Sequence, residues 1–271
     1  MRLQRLLLGV YRSVGPRVLD SALGRRAFVG SYFLYKRWLE DPFAALVRRR
    51  PELFRGGHVL DVGANVGYTA TVFAGAVDAG RQVHAFEPER RNFEILSEVV
   101  ARRKLAGRVV PVRAAVGSAA GTVELWLNQA HHADHRVLTE ALAAELGGAL
   151  AADRETVPLM SLDGHVRTAG LDRIAFVKID VQGYELEVCR GMVELLAANP
   201  GSAVAVEYTP DALRAQGFVP AALLEFFASR GFGAHLLEHD GTLSTAAMAA
   251  LDQAASQRGY VDVVFTRDAL D

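Results

Sequence analysis

The chain has 271 residues, 51% hydrophobic and 23% charged, enough to bury one sizeable core with material left for a small appendage. A net charge of −1 hides a split: residues 1–57 carry twelve Lys/Arg against four Asp/Glu, leaving about nine excess acids elsewhere, which offer little attraction to nucleic-acid phosphates. No apolar run reaches the roughly 18–20 residues needed to cross a bilayer, and one cysteine, Cys189, excludes an internal disulfide and fits a reducing cytoplasm.

From Met1 to Trp38, apolar residues recur at helical spacing with arginines between them, broken at Gly15-Pro16 and Gly24. Amphipathic helices with a basic face are expected. The run Leu6 to Tyr11 follows Arg2 and Arg5 like the start of a signal peptide, but it is too short and Arg12 interrupts it. Three roles for the basic face stand open: a solvated surface on helices packed over the core, a peripheral membrane contact through residues 1–57, or a lid touching an anionic substrate. Asp41-Pro42 then favours a turn, Phe43 to Arg50 a short helix, and Pro51 to Gly57 leads into the first core strand.

His58 to Val62 is a short apolar run with β-branched residues and one acid, the pattern of a buried parallel strand. Gly63 and Gly67 bracket a turn that needs positive φ or close approach to a ligand, and from Val66 the spacing becomes helical through Phe73. Strand, glycine turn and helix together aim backbone N–H groups at an anion or carboxylate. Gln82 to Pro88 reads as the next strand, and Glu87 at its end is placed to accept both ribose hydroxyls of an adenosine-containing ligand. The turn lacks the G-x-G-x-x-G of a dinucleotide site, which argues against an NAD-binding dehydrogenase. Asp61 at its mouth would repel a diphosphate but suits the ammonium of an amino-acid tail.

At Asp61-Val-Gly-Ala-Asn-Val-Gly67 with Phe86-Glu-Pro88, the chain resembles class I S-adenosylmethionine-dependent methyltransferases and, more narrowly, the FkbM family. The resemblance implies S-adenosylmethionine held by Asp61, Gly63, Ala64, Asn65, Gly67, Tyr68 and Thr69 around the turn. Glu87 and Asn92 would lie near the ribose, Ala115 beside the adenine, and Asp180 at the methionine end. It also implies a seven-stranded sheet whose last strand runs antiparallel.

Residues 89 to 105 are expected to be a helix, and Val109 to Val116 a third strand at a sheet edge because of Pro111. Gly117 to Gly121 is a turn and Thr122 to Leu127 alternates like a strand. Between about 128 and 156 an insertion carries His131, His132, Asp134, His135 and Arg136, then an Ala/Leu-rich helix from Leu138 to about Ala151. Its spacing does not match a structural zinc pattern and no cysteine joins it, so a polar surface loop is expected. Asp134-His135-Arg136 resembles a triplet that often occurs in the FkbM family where substrate enters.

Thr156 to Leu162 is strand-like, and Asp163 to Ala169 a helix or turn. Ile174 to Val181 is a fourth core strand that puts Lys178 and Asp180 on one side, near its carboxyl end. Lys178 to Glu187 resembles the FkbM signature, with Gln182 where an acid is usual. One helix from Tyr184 to Ala198, a strand from Ser202 to Tyr208 ending near Glu207, and helices over 210–215 and 219–230 follow. A strand over 232–239, a helix near 246–256 and a strand over 260–266 complete the chain.

Alternating strands and helices imply an α/β fold: one doubly wound, mostly parallel, Rossmann-like sheet over residues 58–271, with residues 1–57 as a basic helical extension. Methyl transfer to an alcohol needs the acceptor aligned in line and its proton removed by a base or a metal. Asp180 and Glu207 could hold Mg2+ or another divalent cation, with His135 as base or third ligand and Lys178 paired with either acid. Alternatively, Asp180 orients the methionine end of the donor and Glu207 bonds a neighbouring loop. The resemblance implies a small hydroxylated acceptor, a sugar or secondary-metabolite intermediate. An N-methyltransferase on a small amine and a noncatalytic relative of the same fold are the competing expectations.

Overall fold

The computed structural model describes residues 22–36, 41–128, 135–147 and 154–268. The expected helices before Ala22, His131, His132, Asp134 and the far end of the 138–151 helix lie outside the described residues. In chain order the elements begin with helices α1 (Ala22–Tyr35) and α2 (Phe43–Arg49), a 3-10 turn (Pro51–Phe54), strand β1 (His58–Val62), α3 (Tyr68–Ala74), β2 (Val83–Phe86) and α4 (Arg90–Arg102). Next come β3 (Val109–Val112), β4 (Ala115–Val116), β5 (Gly121–Trp126), β6 (Arg136–Val137), α5 (Glu140–Leu146), β7 (Arg154–Met160) and α6 (Leu162–Ala169). The remainder is β8 (Ile174–Ile179), α7 (Glu185–Arg190), α8 (Val193–Ala198), β9 (Ala203–Tyr208), α9 (Pro210–Ala215), α10 (Pro220–Ala228), β10 (Gly233–Leu237), β11 (Leu243–Thr245), α11 (Met248–Arg258) and β12 (Val261–Thr266).

The main sheet has the order β3-β2-β1-β8-β9-β12-β10-β11. Neighbours from β3 through β9 pair in parallel, while β12 runs antiparallel to both β9 and β10. All seven expected strands are present, and β11 adds an eighth by folding back antiparallel onto β10. Pro111 sits on β3 at the sheet edge, where its missing N–H breaks no ladder. The expected single strand from Val109 to Val116 divides in two: β3 stays in the main sheet, whereas β4 leaves it for a second sheet of order β4-β7-β5-β6.

Both faces of the main sheet are buried, which is why β1 and β8 are apolar along their whole length apart from residues used at their ends. One face packs on α7, α8 and α10 through Leu186, Met192, Leu196 and Phe227. The other packs on α2 and α3, with Phe54, Phe73 and Phe176 in mutual ring contact, Phe54 and Phe176 4.4 Å apart between centroids. Each of these fully buried phenyl groups contributes on the order of 2–3 kcal/mol. Helix α1 lies over Val66, Tyr68, Ile95 and Val99 through Phe28, Val29 and Tyr32, and Gly24 falls inside it rather than at a break.

The single helix expected from Tyr184 to Ala198 is two, interrupted at Gly191 and Met192. A Cβ at Gly191 would stand 2.0 Å from the Gly117 carbonyl oxygen, so the backbone of this break is pressed against the turn after β4. Its own carbonyl accepts the Asp163 N–H at 2.9 Å. With the sheet wound this way, the carboxyl ends of β1, β2, β8 and β9 and the amino end of antiparallel β12 lie abreast along one side of the molecule.

Candidate functional site

The turn after β1 is built on backbone contacts. Gly63 has φ +79° and Gly67 φ +87°, both in the left-handed region, and a Cβ on Gly63 would come 1.8 Å from the carbonyl oxygen of Asp180. The Gly63 and Ala64 N–H groups donate to the Phe86 carbonyl at 3.1 and 2.9 Å, which locks the turn to the end of β2. Asn65, at φ +50°, donates its N–H to Glu87 Oε2 at 2.9 Å, and the Glu89 N–H donates to Glu87 Oε1 at 3.0 Å. Burial is the main cause that lifts the Glu87 carboxyl to about 8. Glu89 caps α4 by accepting from the Arg91 and Asn92 N–H groups, and this sets Asn92 against the cleft.

One cleft gathers most of the expected residues: Gly63, Ala64, Asn65, Tyr68, Thr69, Glu87, Asn92, Ala115, His135, Lys178, Asp180 and Glu207 all line it. Gly67 lies behind the wall. Asp61 is corrected as well: it is fully buried and presents no surface to the cleft, so it cannot grip a ligand's ammonium directly. Its Oδ2 accepts the Thr69 hydroxyl at 2.6 Å, and the Lys178 ammonium stands 3.7 Å from its Oδ1. Burial raises the Asp61 carboxyl and Lys178 opposes that rise. The acid that does face the cleft here is Asp180.

Lys178 donates to the Gly63 carbonyl and to Asp180 Oδ2, each at 3.1 Å. Burial pushes its ammonium down, but Asp180 and Asp61 outweigh that and hold it above its ordinary value. For Asp180, burial is again the largest influence, yet Lys178, Lys36 and the bond from Gln182 together lower its carboxyl below the usual value. Gln182, at φ +56°, places its side-chain amide between two acids, donating to Asp180 Oδ1 and to Glu207 Oε2, both at 3.0 Å. Glu185 fixes the loop that carries it: Oε1 accepts the Val181 N–H at 3.2 Å and the Gly183 N–H at 2.9 Å. Burial lifts the Glu185 carboxyl to about 7.

Glu207 is opposite Asp262 in the β9–β12 register, so their side chains share a face of the sheet. Burial, then Asp180 and Asp262, push the Glu207 carboxyl well above its ordinary value. Asp262, raised chiefly by burial, reaches about 7. Asp41 roofs this end of the cleft, its Oδ1 accepting the Phe43 N–H at 2.6 Å, and burial raises it to about 6.

The expected cation pair is corrected by this arrangement. Both Asp180 oxygens already accept hydrogen bonds, the Lys178 ammonium stands 3.1 Å away, and the Gln182 amide spans Asp180 and Glu207. Among the described residues no group of three or more His, Cys, Asp or Glu side chains is placed to hold a metal ion. The donor set does not fit Mg2+. His135 is corrected as a base, too. Its Nδ1 accepts the Asn128 backbone N–H at 3.2 Å, so that nitrogen is already engaged and the neutral ring carries its proton on Nε2.

Reading from sequence missed Asp41, Asp262, Glu185 and the bridging role of Gln182. Asp262 carried a usable signal, an acid inside an otherwise apolar strand run, which is the same pattern that drew attention to Asp61 and Asp180.

The model of the FkbM methyltransferase domain matches residues 61–233. The hexuronic acid methyltransferase AglP of Haloferax volcanii is 31% identical over 137 residues, which cover 50% of this chain and 50% of that protein. The chain thus spans about half the length of this curated relative. The crystal structure of methyltransferase FkbM from Methylobacillus flagellatus KT superposes with a TM-score of 0.50 at 15% identity, over 86% of this chain and 50% of that one, a likeness of fold.

Proposed function

Because the chain belongs to the FkbM methyltransferase family, we propose that it transfers the methyl group of S-adenosylmethionine to a hydroxyl oxygen of a small acceptor, a sugar or secondary-metabolite intermediate. The observation that carries this reading is Glu87 bonded to the Asn65 N–H, which sets a carboxylate and a glycine turn against the same cleft wall. Each Glu87 oxygen accepts one backbone donor and keeps a lone pair for a ribose hydroxyl. Small Ala114 and Ala115 leave room for a flat ring. Asp180, charged and facing the cleft, takes the ammonium role expected of Asp61. The residues present therefore fit this donor.

When bound, S-adenosylmethionine supplies an electrophilic methyl group on a sulfonium. The protein's own part is alignment and exclusion of water. Lys178 ties the Gly63 turn to Asp180, so the two protein elements that hold the donor's amino-acid end are set by one side chain. Tyr32, Phe43 and Tyr260 cover the cleft from the side of α1, α2 and β12. His135 lines the cleft on the side of β6. The name of the Haloferax volcanii relative supports a sugar as acceptor. The test is to incubate the full chain with methyl-labelled S-adenosylmethionine and a panel of neutral, acidic and amino sugars. Label recovered in a base-stable sugar ether supports the reading; label found only on amines, or no S-adenosylhomocysteine formed with any of them, contradicts it.

A further inference from the structure

We propose that Asp262 is the residue that takes the acceptor's proton, because among the described residues it is the one carboxylate of a three-acid row with no hydrogen-bond donor on either oxygen. The proposal rests on the methyltransferase reading above and assigns the base within it.

The row follows from strand register. Ile179 pairs with Val206, so Asp180 and Glu207 follow at the same level on β8 and β9, and Glu207 is paired with Asp262 across to β12. The three side chains stand abreast on one face, and all three line the cleft. Their surroundings differ. Asp180 accepts from Lys178 and Gln182, and Glu207 accepts from Gln182. Among the described residues, no donor bonds the Asp262 carboxylate. Two acids of the row are thus held by protein hydrogen bonds, and the third is left to the acceptor.

The charged groups around Asp262 come from every neighbouring element: Glu207 on β9, Asp180 and Lys178 at the end of β8, and Asp41 and Lys36 from the segment between α1 and α2. On its other side Leu237 of β10 stands opposite. Burial, Asp180 and Asp41 favour the proton on Asp262, while Lys178 and Lys36 oppose them, and the balance lies at about 7. Such a group is deprotonated often enough to accept and basic enough to be useful. In the step itself, the acceptor oxygen bonds the methyl carbon, the carbon–sulfur bond breaks with its electron pair passing to sulfur, and the hydroxyl proton moves to Asp262 Oδ. The products are a methyl ether, a neutral thioether and a protonated Asp262.

The test compares wild type with Asp262→Asn in three measurements. Calorimetry with S-adenosylhomocysteine should give dissociation constants within about threefold of each other. With methyl glycosides of glucose and glucuronic acid as probes, wild-type kcat should rise through about pH 7, and the variant's kcat should fall about a hundredfold or more and lose that rise. The Asp262 carboxyl carbon, assigned by its absence from the variant's 13C spectrum, should titrate near 7 in the full-length wild type whether or not either probe is turned over. A carboxyl titrating near the ordinary value of about 4, or a variant that keeps its kcat, overturns the proposal alone. Wild-type protein that binds no S-adenosylhomocysteine contradicts the methyltransferase reading as well.

Discussion

At Gly63 a single missing methyl group decides whether the cleft exists. A Cβ there would lie 1.8 Å from a backbone oxygen of Asp180, and backbone cannot swing aside as a side chain can. Gly63→Ala, at φ +79°, is expected to cost about 2–3 kcal/mol or more of stability and to abolish S-adenosylhomocysteine binding, checked by urea unfolding and calorimetry. A second residue-scale expectation concerns His84, 96% hidden from solvent, whose Nδ1 meets His165 Nε2 at 3.0 Å while its own Nε2 is buried without a hydrogen bond. Burial, then His165, lower its imidazole to about 4. The folded state therefore resists the proton that the unfolded chain accepts near 6.5. Stability from this site is complete above about pH 6.5 and is lost as pH falls towards 4. Measured against His84→Asn, the wild-type urea midpoint should fall as pH drops from 7 to 5, because the variant lacks this one contribution while sharing those of the buried acids. The glycines were legible because positive φ and close approach leave a residue-type signature. Asp61 was legible as important but not as hidden, since spacing along a strand fixes which face a side chain takes and not how deep it lies.

Among the elements, the loop between β8 and α7 positions the acid row. Glu185 accepts two N–H groups of that loop, and Gln182 hangs from it at a φ that few residues other than glycine adopt. Glu185→Ala should leave both N–H groups without an acceptor, cost about 2 kcal/mol, and lower kcat more than it weakens S-adenosylhomocysteine binding, since the ribose end of the cleft rests on β2. Gln182→Ala frees Asp180 and Glu207 from their bridge, and the expected outcome is a change in the pH dependence of turnover with the fold intact by circular dichroism. The strands were readable in the sequence almost throughout, because a sheet covered on both faces demands unbroken apolar runs. The break at Gly191 was not. Its cause is the approach of the Gly117 carbonyl from a distant turn, and a contact made across 74 residues leaves no mark in local periodicity. The departure of β4 into the second sheet has the same origin in long-range pairing with β7.

Over the whole molecule, charge is divided between a basic amino-terminal fifth and an acidic remainder, and acids of that remainder gather where β1, β2, β8 and β9 end and β12 begins. Burial, with neighbouring acids, lifts the Glu87 carboxyl to about 8, the Asp262 carboxyl to about 7 and the Glu207 carboxyl well above its ordinary value. A cationic donor entering this cleft favours their ionised forms, so its binding should release protons and strengthen as pH rises through about 7 to 8. Calorimetry in buffers of different ionisation enthalpy should show that release with S-adenosylmethionine and less of it with neutral-sulfur S-adenosylhomocysteine. The most direct measurement is titration of the full chain with S-adenosylhomocysteine, in wild type and in Glu87→Ala. Clear saturable heat for wild type and at least roughly tenfold weaker binding for the variant are expected. No heat from wild type, or equal affinity without the Glu87 carboxylate, would contradict an adenosine site at the end of β2.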